Sequence, residues 1–109
     1  MTKYLWIETR DPFDSADVAD AFELVRGLAD ESDDTAVYLV QNGVLTTRRV
    51  STAAPTLAEL AQRTTVLADE FSLRERGITT DEVVEGVTLA GVDRLVELLL
   101  DDDRKVIWH

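Results

Sequence analysis

Apolar positions along this chain alternate between two spacings. Short unbroken apolar runs are followed by stretches in which apolar residues return every three or four positions, the marks of buried strands and amphipathic helices. Lys3 to Thr9 contains Tyr4-Leu5-Trp6-Ile7, too short for a helix and rich in strand formers, so it predicts a buried first strand. Asp11-Pro12 ends it, because proline cannot extend a ladder and restricts the residue before it. Asp14 or Ser15 then caps a helix in which Val18, Phe22, Val25 and Leu28-Ala29 share a face, with Asp17 and Asp20 at its positive end. Gly27 inside this helix costs about 1 kcal/mol relative to alanine, and close contact with a strand would compensate.

Asp33-Asp34 reads as a turn, Thr35 to Val40 as the second buried strand, and Gln41-Asn42-Gly43 as a sharp turn with positive φ at Asn-Gly. Val44 to Arg49 suggests a short helix, and the segment to Ala54 carries no clear period. Pro55 suits the first turn of a helix through Leu57, Leu60 and Ala61. Thr64 to Ala68 is the third strand, and Phe71 to Arg76 a short helix closed by Gly77. Thr80 caps a turn through Val83 and Val84, and Val87-Thr88-Leu89 makes a short fourth strand. Val92, Leu95, Val96, Leu99 and Leu100 line one face of a last helix. Asp101-Asp102-Asp103 comes next, poorly placed for that helix's dipole. Lys105 to Trp108 is the fifth strand. This alternation predicts a single α/β domain over residues 1–109, a three-layer sandwich whose five-stranded, mostly parallel sheet carries helices on both faces. The ends of strands one to three then share one edge, where such sheets place their sites.

Composition narrows the function. Apolar residues make up 45% of the 109 residues, and 22 carboxylates face 11 cations for a net charge of −11. Such a surface repels nucleic acid and anionic lipid. Only Lys3 and Lys105 are lysines; the acid excess suits a salt-loaded cytoplasm, where screening relieves self-repulsion, or an acidic protein of a high-GC mesophile. Glu8 comes too early for a signal-peptide core, and no apolar run could span a bilayer, so a cytoplasmic protein is expected. With no cysteine, neither a disulfide nor a thiolate site can form.

Candidate chemistry gathers at the predicted strand ends. Gln41, Asn42 and Gly43 form either a plain turn or a loop presenting amide donors. Arg10, with Arg48 and Arg49 as possible neighbours, forms either an anion-binding fork or ordinary surface ion pairs. Asp69 and Glu70 follow the third strand as helix-capping acids or, if buried, a general base. Ser72 has no histidine near it in sequence. His109, the only histidine, reads as a frayed end, since one imidazole and no thiolate make at best a hard-cation site. Trp6 and Trp108 are candidates to flank an interface or a pocket. Phosphate-loop, dinucleotide and zinc-protease motifs are absent, and no cofactor, metal or catalytic residue is expected.

Three stretches resemble the small sulfur-relay family typified by DsrE, DsrF and DsrH, the Tus subunits. They are Val37-Tyr38-Leu39-Val40-Gln41-Asn42-Gly43-Val44, Leu73-Arg74-Glu75-Arg76-Gly77-Ile78 and Lys105-Val106-Ile107-Trp108-His109. The nearest similarity is to the DsrH/TusB branch, which also finishes near a tryptophan. The resemblance implies a DsrE-like domain working as a homo- or hetero-oligomer with related subunits. It also implies a reactive cysteine several residues before Arg76-Gly77, where this chain offers Asp69, Glu70 and Ser72. A non-catalytic interaction subunit is therefore expected, supporting a thiol-bearing partner in sulfur trafficking such as tRNA thiolation or sulfur oxidation. The alternative is a small domain binding an anionic ligand at the strand-end edge.

Overall fold

The computed structural model describes residues 3–11, 13, 17–32 and 34–109. Strand β1 (Lys3–Glu8) leads to helix α1 (Asp17–Glu31), strand β2 (Asp34–Leu39) and a 3-10 segment (Gln41–Thr47). Helix α2 (Ala54–Arg63), strand β3 (Thr65–Asp69) and helix α3 (Glu70–Glu75) follow. A second 3-10 turn (Thr80–Glu82), strand β4 (Thr88–Ala90), helix α4 (Val92–Leu99) and strand β5 (Arg104–Trp108) complete the chain. The five strands form one sheet in the order β4-β3-β2-β1-β5, with every neighbouring pair parallel. The expected α/β sandwich is therefore present. The proposed helix cap at Asp14 or Ser15, Pro12 and Asp33 lie outside the described residues.

Alternation along β1 and β2 sends successive side chains to two cores. Trp6, Val37, Leu39, Val66 and Ala68 pack with Val18, Phe22 and Val25 of α1, Leu57 and Leu60 of α2, and Leu73 of α3. Leu5, Ile7, Ala36, Tyr38 and Leu67 form the other core, which α4 covers through Leu98 and, at its margin, Leu95. Three helices thus lie on one face and one on the other. The single face expected on α4 is corrected: Leu95 packs at the core margin, whereas Val92, Val96 and Leu99 are exposed, as is Leu100 beyond the helix. Two apolar stripes lie side by side on this helix, and the pattern alone cannot say which one meets the sheet.

Asp34 is the first residue of β2 rather than part of a turn, and it fixes the register of the last strand. The buried Arg104 guanidinium donates to both its carboxylate oxygens, Nη1 at 3.2 Å and Nη2 at 2.8 Å, and Nη1 also reaches the Tyr4 carbonyl at 3.0 Å. A forked donor holding a carboxylate and a backbone oxygen fixes β5 beside β1 more firmly than a point charge would. The acidic run after α4 also has a use. Asp101 accepts from the Asp103 amide at 3.1 Å and pairs with Lys3 at 3.3 Å. Those contacts, the amide first, hold its carboxyl below the usual carboxylate range.

Other boundaries shift by a residue or two. Pro55 does sit in the first turn of α2, whereas the 3-10 turn is capped by Thr79, in a capping box with Glu82, rather than by Thr80. Gly77 has φ +66°, the left-handed closure expected after α3. Gly27 has no strand against it; open space surrounds a Cβ built there. Gly27→Ala is therefore expected to stabilise the protein by up to about 1 kcal/mol, measured by urea denaturation. An unchanged or lowered midpoint would mean that this turn of α1 is not helical in solution.

Candidate functional site

Parallel strands bring the carboxyl ends of β1, β2 and β3 to one edge, and the 3-10 segment after β2 lies across it. Gly43 lets that segment approach. A Cβ there would stand 2.2 Å from the Glu8 carbonyl oxygen and 2.9 Å from its carbon. The positive φ falls on Gln41, at 54°, and not on the Asn-Gly pair as the sequence suggested. Its left-handed backbone aims the amide at the Ser72 hydroxyl, 2.9 Å away.

Ser72 belongs to a closed network around Asp69. Asp69 caps α3, accepting from the Ser72 amide at 2.9 Å and its hydroxyl at 2.7 Å through one oxygen. Its other oxygen accepts from the Tyr38 hydroxyl at 2.8 Å. Burial, and then the bond to Asp69 and its charge, push the Tyr38 phenol well above its ordinary pKa, so it stays a neutral donor. Asp69 acts here as a helix cap and a core acceptor. Ser72 donates its proton to Asp69 and accepts from Gln41, and no imidazole contacts it to activate the oxygen.

Asn42 is held by Arg76. Its side-chain oxygen accepts from Nε at 3.1 Å and Nη2 at 3.0 Å, while Nη1 donates to the Ser72 carbonyl at 3.1 Å. The Gln41-Asn42-Gly43 loop, the end of β3 and α3 therefore form one hydrogen-bonded unit. Arg10 pairs with Asp17 at 3.1 Å, Arg48 with Glu82 at 3.8 Å, and Arg49 donates to the Val83 carbonyl at 3.3 Å; Arg48 and Arg49 line one concavity of about 230 Å³ together with Asp81 and Glu82, and Arg10 is not part of it.

Between β1 and β5 the strand order reverses, the place where such sheets open a crevice at their carboxyl ends. Glu8 and His109 fill it. Glu8 is completely buried and accepts from the Arg10 amide at 3.1 Å and, more weakly, from the Trp6 indole at 3.4 Å. Nδ1 of His109 stands 2.8 and 2.9 Å from its two oxygens, which places the proton on Nδ1 as donor. The His109 amide donates to the Ile7 carbonyl at 2.8 Å, and its carbonyl accepts from Thr9. His109 is thus pinned, not frayed, and its ring lies 5.8 Å from that of Trp6. Trp6, expected with Trp108 at an interface, lies inside the chain's own core, whereas Trp108 is exposed.

Two concavities flank α3. One, of about 700 Å³, is lined by Leu73, Gly77, Ile78, Thr79, Thr80 and Leu89, and the other, of about 460 Å³, by Val40, Asp69, Phe71, Gly91, Val92 and Leu95. Glu70 and Arg74 border both. Of the candidate ligand residues, Asp69 and Glu70 reach a concavity, and Arg10, Gln41, Asn42 and Gly43 line neither. Among the described residues no cluster of three or more histidines, cysteines or carboxylates is placed to hold a metal, and no helix is long and apolar enough to cross a membrane. Sequence reasoning missed the parts played by Tyr38, Arg76, Glu8 and His109. A tyrosine inside the apolar run Val37–Val40 was the available signal, since a buried phenol needs a partner.

The same architecture occurs in solved structures. The YchN protein from E. coli superposes with a TM-score of 0.88 at 20% identity, and MTH1491 from Methanobacterium thermoautotrophicum, a protein of unknown function, with 0.80 at 23%. Each match covers 100% of both chains. At such identities the likeness speaks for the fold alone. No curated protein matches the chain. The DsrE/DsrF-like family model matches residues 2–108, spanning β1 through the end of β5. With the sheet, its carboxyl edge and that match in agreement, the chain belongs to the DsrE/DsrF-like family.

Proposed function

We propose that this chain is a non-catalytic, interaction-type subunit in intracellular sulfur relay, supporting a cysteine-bearing partner related to it. One observation carries this reading. The edge at which a sulfur carrier needs a thiolate holds instead the closed Tyr38-Asp69-Ser72-Gln41 network, in a chain without cysteine. A carboxylate cannot hold a persulfide, and the Ser72 hydroxyl is committed on both sides. Family membership supplies the sulfur-relay context, and the branch nearest in motif is DsrH/TusB-like. The strand-end anion site gains little support, because Arg10, Asn42 and Asp69 are each occupied by neighbours within the chain.

Two measurements test the reading. The purified chain, incubated with a persulfide donor and assayed by intact mass, is expected to gain no covalently bound sulfur; stable loading would overturn the non-catalytic assignment. Affinity purification from its native host is expected to recover a cysteine-bearing family member with it. Repeated recovery without such a partner would overturn the relay role.

A further inference from the structure

The crevice between β1 and β5 holds a histidine fixed through its backbone and one ring nitrogen. The His109 amide donates to the Ile7 carbonyl at 2.8 Å, and its carbonyl accepts from the Thr9 amide at 3.2 Å and the Thr9 hydroxyl at 2.9 Å. Nδ1 donates to the Glu8 carboxylate. That carboxylate is fully buried and is itself held by the Arg10 amide and, at longer range, by the Trp6 indole. Nε2 is the exception. It has no hydrogen-bond partner among the described residues, yet it is not one of their sealed, unpartnered side-chain atoms, which are Arg26 Nε, Thr35 Oγ1 and Arg104 Nε. Water therefore reaches it, in keeping with a side chain about one-fifth exposed.

With the proton on Nδ1, the lone pair of Nε2 is free to accept another. A carboxylate behind Nδ1 fixes the tautomer of such a ring and stabilises the positive charge gained with a second proton. That is the arrangement of a base, and this chain supplies no nucleophile for it to serve. There is no cysteine, the Thr9 hydroxyl donates to the His109 carbonyl, and the Ser72 hydroxyl donates to Asp69. The proton must come from another molecule. A thiol suits this base best, because thiols and imidazoles ordinarily titrate within about two units of each other, whereas an alcohol holds its proton far more strongly.

We propose that His109 is the proton acceptor for the thiol of the cysteine-bearing partner. In this step the partner's S–H bond breaks, an N–H bond forms at Nε2, and the electron pair stays on sulfur as the thiolate. The imidazolium is left against the Glu8 carboxylate, which keeps its own charge. The proposal goes beyond the subunit reading by giving the chain one chemical part while it carries no sulfur itself, and it rests on that reading for the thiol. Family membership does not supply the pair, since the match ends at residue 108.

The first test needs only this chain. Diethyl pyrocarbonate, which acylates an open imidazole nitrogen, is expected to modify the folded protein at its one histidine, read by intact mass and peptide mapping. A folded chain whose His109 resists the reagent would overturn the proposal, because Nε2 would be out of reach. The second test uses the complex with the cysteine-bearing relative recovered from the host. Iodoacetamide alkylates the thiolate, so the partner's cysteine is expected to react at least about tenfold faster beside the untreated chain than beside the carbethoxylated one. Both complexes are isolated on the affinity resin before alkylation, so any shielding of the thiol by contact cancels. Carbethoxylation at Nε2 leaves Nδ1–H on Glu8, and circular dichroism checks that the fold is kept. His109→Ala is expected to lose the same rate, and added imidazole to restore it. Equal rates beside treated and untreated chain, or a His109→Ala complex as fast as the native one without imidazole, would overturn the proposal and leave the subunit reading standing. Repeated recovery without a cysteine-bearing partner would overturn that reading, and this proposal with it.

Discussion

Replacing Gly43 with alanine is expected to destabilise the fold by about 3 kcal/mol or more, the upper range for overpacking a rigid site. The reason is contact and not torsion, since φ at Gly43 is not positive. The added methyl would lie 2.2 Å from the Glu8 carbonyl oxygen, well inside any van der Waals limit. Relief requires moving backbone, and β1 is poorly placed to move. It is paired with β2 on one side and β5 on the other, and the same Glu8 oxygen already accepts from the Val40 amide at 3.1 Å. Shifting the 3-10 segment instead would pull Gln41 from Ser72 and Asn42 from Arg76. Urea denaturation measures the loss, and Gly27→Ala supplies the contrast: the same substitution made in open space, with the opposite sign. A Gly43→Ala protein within about 1 kcal/mol of the parent would show that the segment does not sit against β1.

The second large effect is expected at His109. His109→Ala removes the side chain that meets both oxygens of a carboxylate with no access to water, leaving Glu8 with the Arg10 amide and a long indole contact. Breaking a buried pair from one side is costly because the remaining group keeps its desolvation penalty. His109 itself is about one-fifth exposed, so the expected loss is about 2–3 kcal/mol rather than the full range for a sealed pair. Pairing the change with Glu8→Gln in a double-mutant cycle isolates the interaction. The combined variant should be less destabilised than the sum of the two, because the neutral amide no longer needs the imidazole. Strict additivity would mean that the two side chains do not meet.

The sequence carried the sheet well and the edge chemistry poorly, for physical reasons. Strand runs such as Leu5-Trp6-Ile7 and Val37 to Leu39 are apolar on both faces, as strands covered on both sides are, and their alternation with helical stretches points to the parallel sheet. Asp69 before a short helix read as a cap because capping is local. Arg76 holding Asn42, and Tyr38 reaching Asp69, are contacts across 34 and 31 positions. No period or spacing encodes such pairings. Glu8 is buried because β5 lies beside β1 and brings His109 to it, a pairing across 101 positions that no local pattern encodes. The orientation of α4 was illegible for another reason, since apolar residues occupy more of its circumference than one sheet face can cover.

The carboxylate at the end of the first strand and the imidazole that meets it are 101 positions apart. Contacts between such distant segments form only after the intervening chain has paid its loop-closure entropy. Strand β1 therefore cannot reach its final electrostatic environment while β5 is undocked. Until then Glu8 needs water, and the crevice beside it must stay open. Docking of β5 beside β1 thus removes the Glu8 side chain from water and brings His109 to it in the same event.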